Sequence, residues 1–213
     1  MKTDDLINVL STNVEPVDLR QPGRDLAKSI TVGIILSVGG VLAWSGLRQD
    51  LTDNHAIAFF VLKIVLSAAL ILAGARYLVR LGRPGVDTHI FHGHIGWPAY
   101  VTGALALAAM IALPLVHWHH LSMEDGWVEC LVSIPLIALV PFASVVWAMR
   151  RMAPTNLPRT GAVAGVVAGG ISALGYALHC TDDSLSFIAL WYGGAIALCA
   201  LAGFLLGPRL LRW

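Results

Sequence analysis

Long apolar runs separated by short polar breaks account for most of the chain, and the runs share a length. A bilayer core about 30 Å thick takes about 20 apolar residues of helix. Six segments meet that requirement: 27–47, 56–81, 97–116, 128–149, 160–178 and 187–207. The pattern predicts an all-α polytopic membrane protein, a compact six-transmembrane-helix bundle over 27–213 preceded by a cytoplasmic N-terminal arm over 1–26. Because the breaks are short, consecutive helices are expected to be antiparallel neighbours, with no separate folded domain outside the membrane. The fifth run has a small residue at every fourth position, Gly161, Gly165, Gly169, Ala173 and Ala177, which lets another backbone approach closely. The expected partner is the fourth run. Gly39, Gly40, Gly193, Gly194 and Gly203 offer similar surfaces on the first and last runs, and Pro135 and Pro141 mark where the fourth would kink.

The arm breaks the pattern. Asp4, Asp5, Glu15, Asp18 and Asp25 interrupt any apolar core, so neither a secretory leader nor a span is expected there. Thr3 is placed to cap a short helix with Asp4 and Asp5 in its first turn. Leu6, Ile7, Leu10 and Val14 would then line one face until Pro16 stops it. So short a helix is marginal alone in water and needs a partner surface. The membrane, the bundle's own loops or a groove on another protein are the options. The helix's acidic polar face speaks against the first, since interfacial anchors are usually rich in Lys and Arg.

Composition agrees with the pattern: 57% of the 213 residues are hydrophobic and 13% charged, with mean hydropathy +0.74. The net charge of +1 hides a strong asymmetry. If six spans are drawn, Lys2, Arg20, Arg24, Lys28, Arg76, Arg80, Arg83, Arg150, Arg151, Arg159, Arg209 and Arg212 fall on one side, and Arg48 alone falls in the opposite loops. Since cytoplasmic loops carry the excess of Lys and Arg, both termini are expected in the cytoplasm of a bacterial inner membrane. The loops near 48–55, 117–127 and 179–186 would then face outward. Trp44, Trp97, Trp118, Trp127, Trp191 and Trp213 near the span ends suit the headgroup region.

Candidate chemistry gathers on the outer side. Cys130 opens the fourth run and Cys180 follows the fifth, so antiparallel packing would bring them to similar depth. In an oxidising compartment they could form a disulfide, co-ligand a soft metal, or simply pack as small buried hydrophobes. Cys199, in mid-span, takes the packing reading. His179 beside Cys180 adds an imidazole to a possible Cys130, Cys180, His179 metal set, with Asp182 and Asp183 near. His117, His119 and His120 lie in another outer loop, yet no pair has the i, i+4 spacing of a specific metal site. Lys63, two turns inside the second run, is expected to snorkel to the headgroups. Span interiors hold no acidic residue, which disfavours a proton-coupled transporter. No phosphate-binding glycine loop, catalytic serine motif or zinc-protease signature appears, and no cofactor is expected.

The acidic arm (Asp4-Asp5-Leu6-Ile7-Asn8-Val9-Leu10), six spans, Glu129-Cys130-Leu131, the stretch Leu178-His179-Cys180 followed by Asp182-Asp183-Ser184, and a closing Leu210-Leu211-Arg212-Trp213 together resemble the NrsF-type membrane anti-sigma factors. The resemblance covers nearly the whole chain, and its specificity lies in the two cysteine motifs and the arm. It implies a regulator and not an enzyme, one that holds an extracytoplasmic-function sigma factor inactive at the membrane. It further implies that Cys130 and Cys180 sense heavy-metal or oxidative stress. On that reading Leu6, Ile7 and Leu10 dock into a sigma-factor groove, and Asp4 and Asp5 meet basic residues at its rim. The partners are then the sigma factor and membrane lipid, with no direct nucleic-acid contact. The alternative, a membrane thiol oxidoreductase or quinone-linked enzyme using Cys130 and Cys180, would need a second, exchanging cysteine pair that the chain lacks.

Overall fold

A computed structural model describes residues 20–48, 53–83, 127–184 and 187–212, together with Thr3 and Ser11. The predicted third span, 97–116, lies outside the described residues, as do His117, His119, His120 and the arm residues Asp4, Asp5, Leu6, Ile7 and Leu10. Thr3 and Ser11 are themselves in helical conformation.

Among the described residues there are five long helices and no strand. Helix α1 is Gln21–Trp44, α2 Asn54–Leu81, α3 Trp127–Arg150, α4 Leu157–Tyr176 and α5 Gly193–Leu210, the last preceded by a π-helical turn, Ile188–Tyr192. All five are long and apolar enough to cross a bilayer. Their ends follow local chemistry. Pro22 occupies the first turn of α1, where a missing N–H is harmless, and Gly46 takes the positive φ of +74° that turns the chain beyond that helix. The Asp53 side chain accepts from the His55 N–H at 3.3 Å to cap α2. Asn156 caps α4 by accepting from the Arg159 N–H at 3.2 Å.

Helix α4 is the hub. It packs against α5, α2, α3 and α1, and 61% of its apolar window is buried, against 22–33% for the other four helices. Large apolar side chains are exposed on α1, α2, α3 and α5, such as Ile35, Val65, Leu136 and Leu205, while α4 exposes none. An outward apolar belt around a core of small residues suits lipid, because helices in a bilayer associate by close packing and not by hiding apolar surface from water.

The small-residue stripe of α4 faces α5, and not α3 as the sequence order suggested. A Cβ at Gly161 would overlap the Gly203 carbonyl oxygen, and one at Gly165 the Cys199 carbonyl oxygen. Gly203 and Gly207 return the contact from α5, so two glycine faces meet backbone to backbone. At Gly39, Gly40, Gly193 and Gly194, expected to act likewise, an added Cβ would meet no other element within 4 Å among the described residues. Cys199 fills the α4–α5 seam beside Gly165 and Gly169, in keeping with a packing role.

Candidate functional site

One end of the bundle carries a polar cluster that the sequence pattern only half revealed. Its foundation is the inward face of α2, where Ala56, Lys63, Ser67, Ile71, Gly74 and Leu78 are buried at helical spacing. Lys63 is in phase with that face. It is 1% exposed and does not snorkel to the headgroups. Its Nζ donates to the Asp182 carbonyl at 2.8 Å, the Cys180 carbonyl at 3.3 Å and Asp183 Oδ1 at 3.1 Å. It also lies 5.6 Å from the centre of the Tyr192 ring. The i, i+4 phase of Lys63 with Ser67 and Ile71 was the signal that could have placed it inside.

Arg48, just beyond α1, joins from the other side. Its Nη2 donates to Asp183 Oδ2 at 2.6 Å and its Nη1 to Asp183 Oδ1 at 3.3 Å, and its backbone N–H donates to the Leu178 carbonyl at 3.0 Å. Asp183 therefore bridges two cations whose side chains are fully shielded, while its own side chain is 10% exposed. A buried charge of this kind persists only when paired and hydrogen-bonded. The network ties α2, the end of α1 and the α4–α5 loop into one unit.

The loop itself is wound tightly onto the end of α4. His179 and Cys180 both donate their N–H groups to the Tyr176 carbonyl at 3.0 Å, which carries Cys180 back over the helix end. There it meets Cys130 from the first turn of α3, in a buried cluster with Tyr176, Phe187, Ile188 and Tyr192. The predicted juxtaposition of the two cysteines is present, and both are free thiols. The Cys130 thiol is within hydrogen-bonding reach of Cys180 Sγ, and Lys63 Nζ lies 3.9 Å from the same sulfur. Together these push the Cys180 thiol down to about 7: the Cys130 hydrogen bond acts most strongly, and the Lys63 charge adds to it against the opposing effect of burial. Asp182, with Oδ2 4.0 Å from Cys180 Sγ, is moved the other way, chiefly by burial.

His179 meets the Tyr176 ring edge-on, with centroids 6.1 Å apart. Among the described residues no group of three or more His, Cys, Asp or Glu side chains is gathered closely enough to hold a metal ion, so Cys130, Cys180 and His179 do not form such a group. A cavity of about 240 Å³ between α2 and α5 reaches Lys63 and Tyr192 from the apolar flank, and neither cysteine lines it.

Residues 10–213 match the family described as "NrsF: Negative regulator of sigma F". The "Anti-sigma-F factor NrsF" of Caulobacter vibrioides is 33% identical over 225 aligned positions, covering 100% of both chains. The "Probable anti-sigma-F factor NrsF" of Azospira oryzae is 30% identical over 213, again covering 100% of both. No solved structure matches the chain. These relatives are named as regulators and not as enzymes.

Proposed function

Because the chain belongs to the family of negative regulators of sigma F, we propose that it is a membrane anti-sigma factor that sequesters an extracytoplasmic-function sigma factor and releases it when outer-side chemistry alters Cys130 and Cys180. The observation that carries the reading is the match to family and relatives along essentially the entire chain.

Helix direction supports the six-span topology. Lys63 near the start of α2 meets the cluster that also holds Cys130 at the start of α3, while Gly82 beyond the end of α2 lies against Met152 beyond the end of α3. Helices α2 and α3 thus run the same way. In this reading the predicted span 97–116 makes one return crossing between them in sequence, which puts both termini on one side. The positive-inside rule makes that side cytoplasmic. Arg80, Arg83, Arg150, Arg159 and Arg209 stand at or near the helix ends opposite the thiol pair, and in this reading those are the cytoplasmic ends.

In this reading the arm ahead of α1 faces the cytoplasm, and its apolar residues Leu6, Ile7 and Leu10 flanked by Asp4 and Asp5 suit a groove with a basic rim. In this reading the thiol pair acts as a switch, since a chemical change there favours one packing of the loop, α2 and α3 over another. A Cys130→Ser, Cys180→Ser double variant should reach the membrane normally, repress sigma-dependent transcription, and fail to release it under metal or oxidant challenge. A normal stress response at normal abundance would reduce both cysteines to packing residues.

A further inference from the structure

The two thiols of the pair are not equivalent. Cys130 sits in the first turn of α3 and is fully buried among apolar and aromatic side chains. Cys180 sits in a loop whose own carbonyl, together with that of Asp182, holds the Lys63 ammonium, and its sulfur is 3.9 Å from that ammonium. A buried ammonium needs compensating negative charge as well as hydrogen-bond acceptors. The two carbonyls supply only dipoles, Asp183, which Lys63 shares with Arg48, supplies part of a charge, and the nearby Asp182 carboxylate is disfavoured in its charged form by burial. The Cys180 sulfur stands where a second anion would complete the compensation.

We propose that Lys63 is the positioning residue that makes Cys180, and not Cys130, the attacking thiolate of the pair. Cys130 then serves as the second thiol, its S–H donated to the Cys180 sulfur. The proposal rests on the sensor reading for its biological use, but the chemistry belongs to the chain alone. A soft electrophile reaching this end of the bundle at neutral pH meets a thiolate at Cys180, whose thiol is pushed down to about 7, well below the ordinary value of about 8.5. The groups that surround this sulfur come from every neighbouring element. Among the described residues Lys63 of α2, Cys130 of α3, Asp182 of the loop and Tyr192 of the turn before α5 act on it directly, while Glu129 of α3, Tyr176 of α4, His179 and Asp183 of the loop, and Arg48 through Asp183, belong to the surrounding network. The Tyr192 hydroxyl adds a polar contact to Cys180 while making no short hydrogen bond of its own among the described residues.

The sign of the effect is fixed by charge. Removing the Lys63 ammonium disfavours the thiolate, whereas removing the Asp183 carboxylate leaves the ammonium less neutralised and favours it. The test uses the full chain in lipid nanodiscs, with N-ethylmaleimide as probe. The Cys180 thiolate adds across the maleimide double bond, the adjacent ring carbon takes a proton from water, and mass spectrometry reads the rate at each cysteine as a function of pH. Cys180 should react faster than Cys130, with a midpoint near 7. In Lys63→Met the midpoint should rise by at least about one pH unit, and in Asp183→Asn it should fall. Lys63→Arg, which keeps the charge, should hold the wild-type midpoint more nearly than Lys63→Met. A purely structural role, acting through loosened packing, would move Met and Asn variants in the same direction, and that result overturns the proposal. So does faster modification of Cys130, or an unmoved midpoint in Lys63→Met. Should Lys63→Met fail to reach the membrane, Asp183→Asn carries the test alone, and a midpoint that stays or rises contradicts it. A cysteine double variant that responds normally to stress in cells would sink the sensor reading without touching this result.

Discussion

Asp183 holds its end of the molecule together because its carboxylate pairs with both Lys63 and Arg48. Removing one member of a buried ion network leaves the others desolvated and uncompensated, a loss of about 3–5 kcal/mol. Asp183→Ala should lower stability by about that amount, read as the midpoint of denaturant titration of the reconstituted protein by circular dichroism. Lys63→Met should cost less, since Asp183 keeps Arg48 and the methionine stem fills the same space. Equal losses from the two would mean that the shared carboxylate is not the centre of the network. Sequence order alone could suggest that Cys130 and Cys180 lie at one depth, because each borders an apolar run on the same side. It could not pair Arg48 with Asp183, which are 135 positions apart and joined by no local pattern. Lys63 was a different case: its helical phase with Ser67 and Ile71 was visible, but a lysine near a span end fits snorkelling equally well until the interior acceptors are known.

Helix identity followed from the apolar runs, and the five described helices begin or end within a few residues of the predicted spans, the largest shifts being the starts of α1 at Gln21 and of α5 at Gly193. Partner choice between helices did not follow. A stripe of small residues states that some backbone comes close, and the answering surface, Gly203 and Gly207, lies on the helix that follows in sequence. That contact yields a direct expectation. Gly161→Ala and Gly165→Ala drive a methyl into backbone carbonyls that cannot swing aside, so each should destabilise by at least about 1–3 kcal/mol. Gly39→Ala on α1 meets nothing within 4 Å among the described residues, and it should be neutral or stabilising by up to about 1 kcal/mol through helix propensity. Thermal aggregation midpoints of the purified variants separate the two classes. Similar values for all three would mean that the α4–α5 seam is not the tight contact of the bundle.

At the scale of the whole molecule, the account joins a membrane bundle with a thiol switch at one end to a cytoplasmic arm at the other. The family match supports a sigma-factor partner, and helix direction supports a topology in which thiols and arm lie on opposite sides. In such a device the outer end changes state and the arm changes its availability, so the partner's retention is the quantity that reports both. The most direct measurement is co-purification of the sigma factor with the detergent-solubilised protein, with and without residues 2–14, before and after exposure to oxidant or a soft metal. The account predicts retention by the full chain, loss after exposure, loss on deletion of the arm, and retention despite exposure in the Cys130→Ser, Cys180→Ser variant. A full chain that retains no sigma factor, or one whose arm-deleted form retains it equally well, would contradict it.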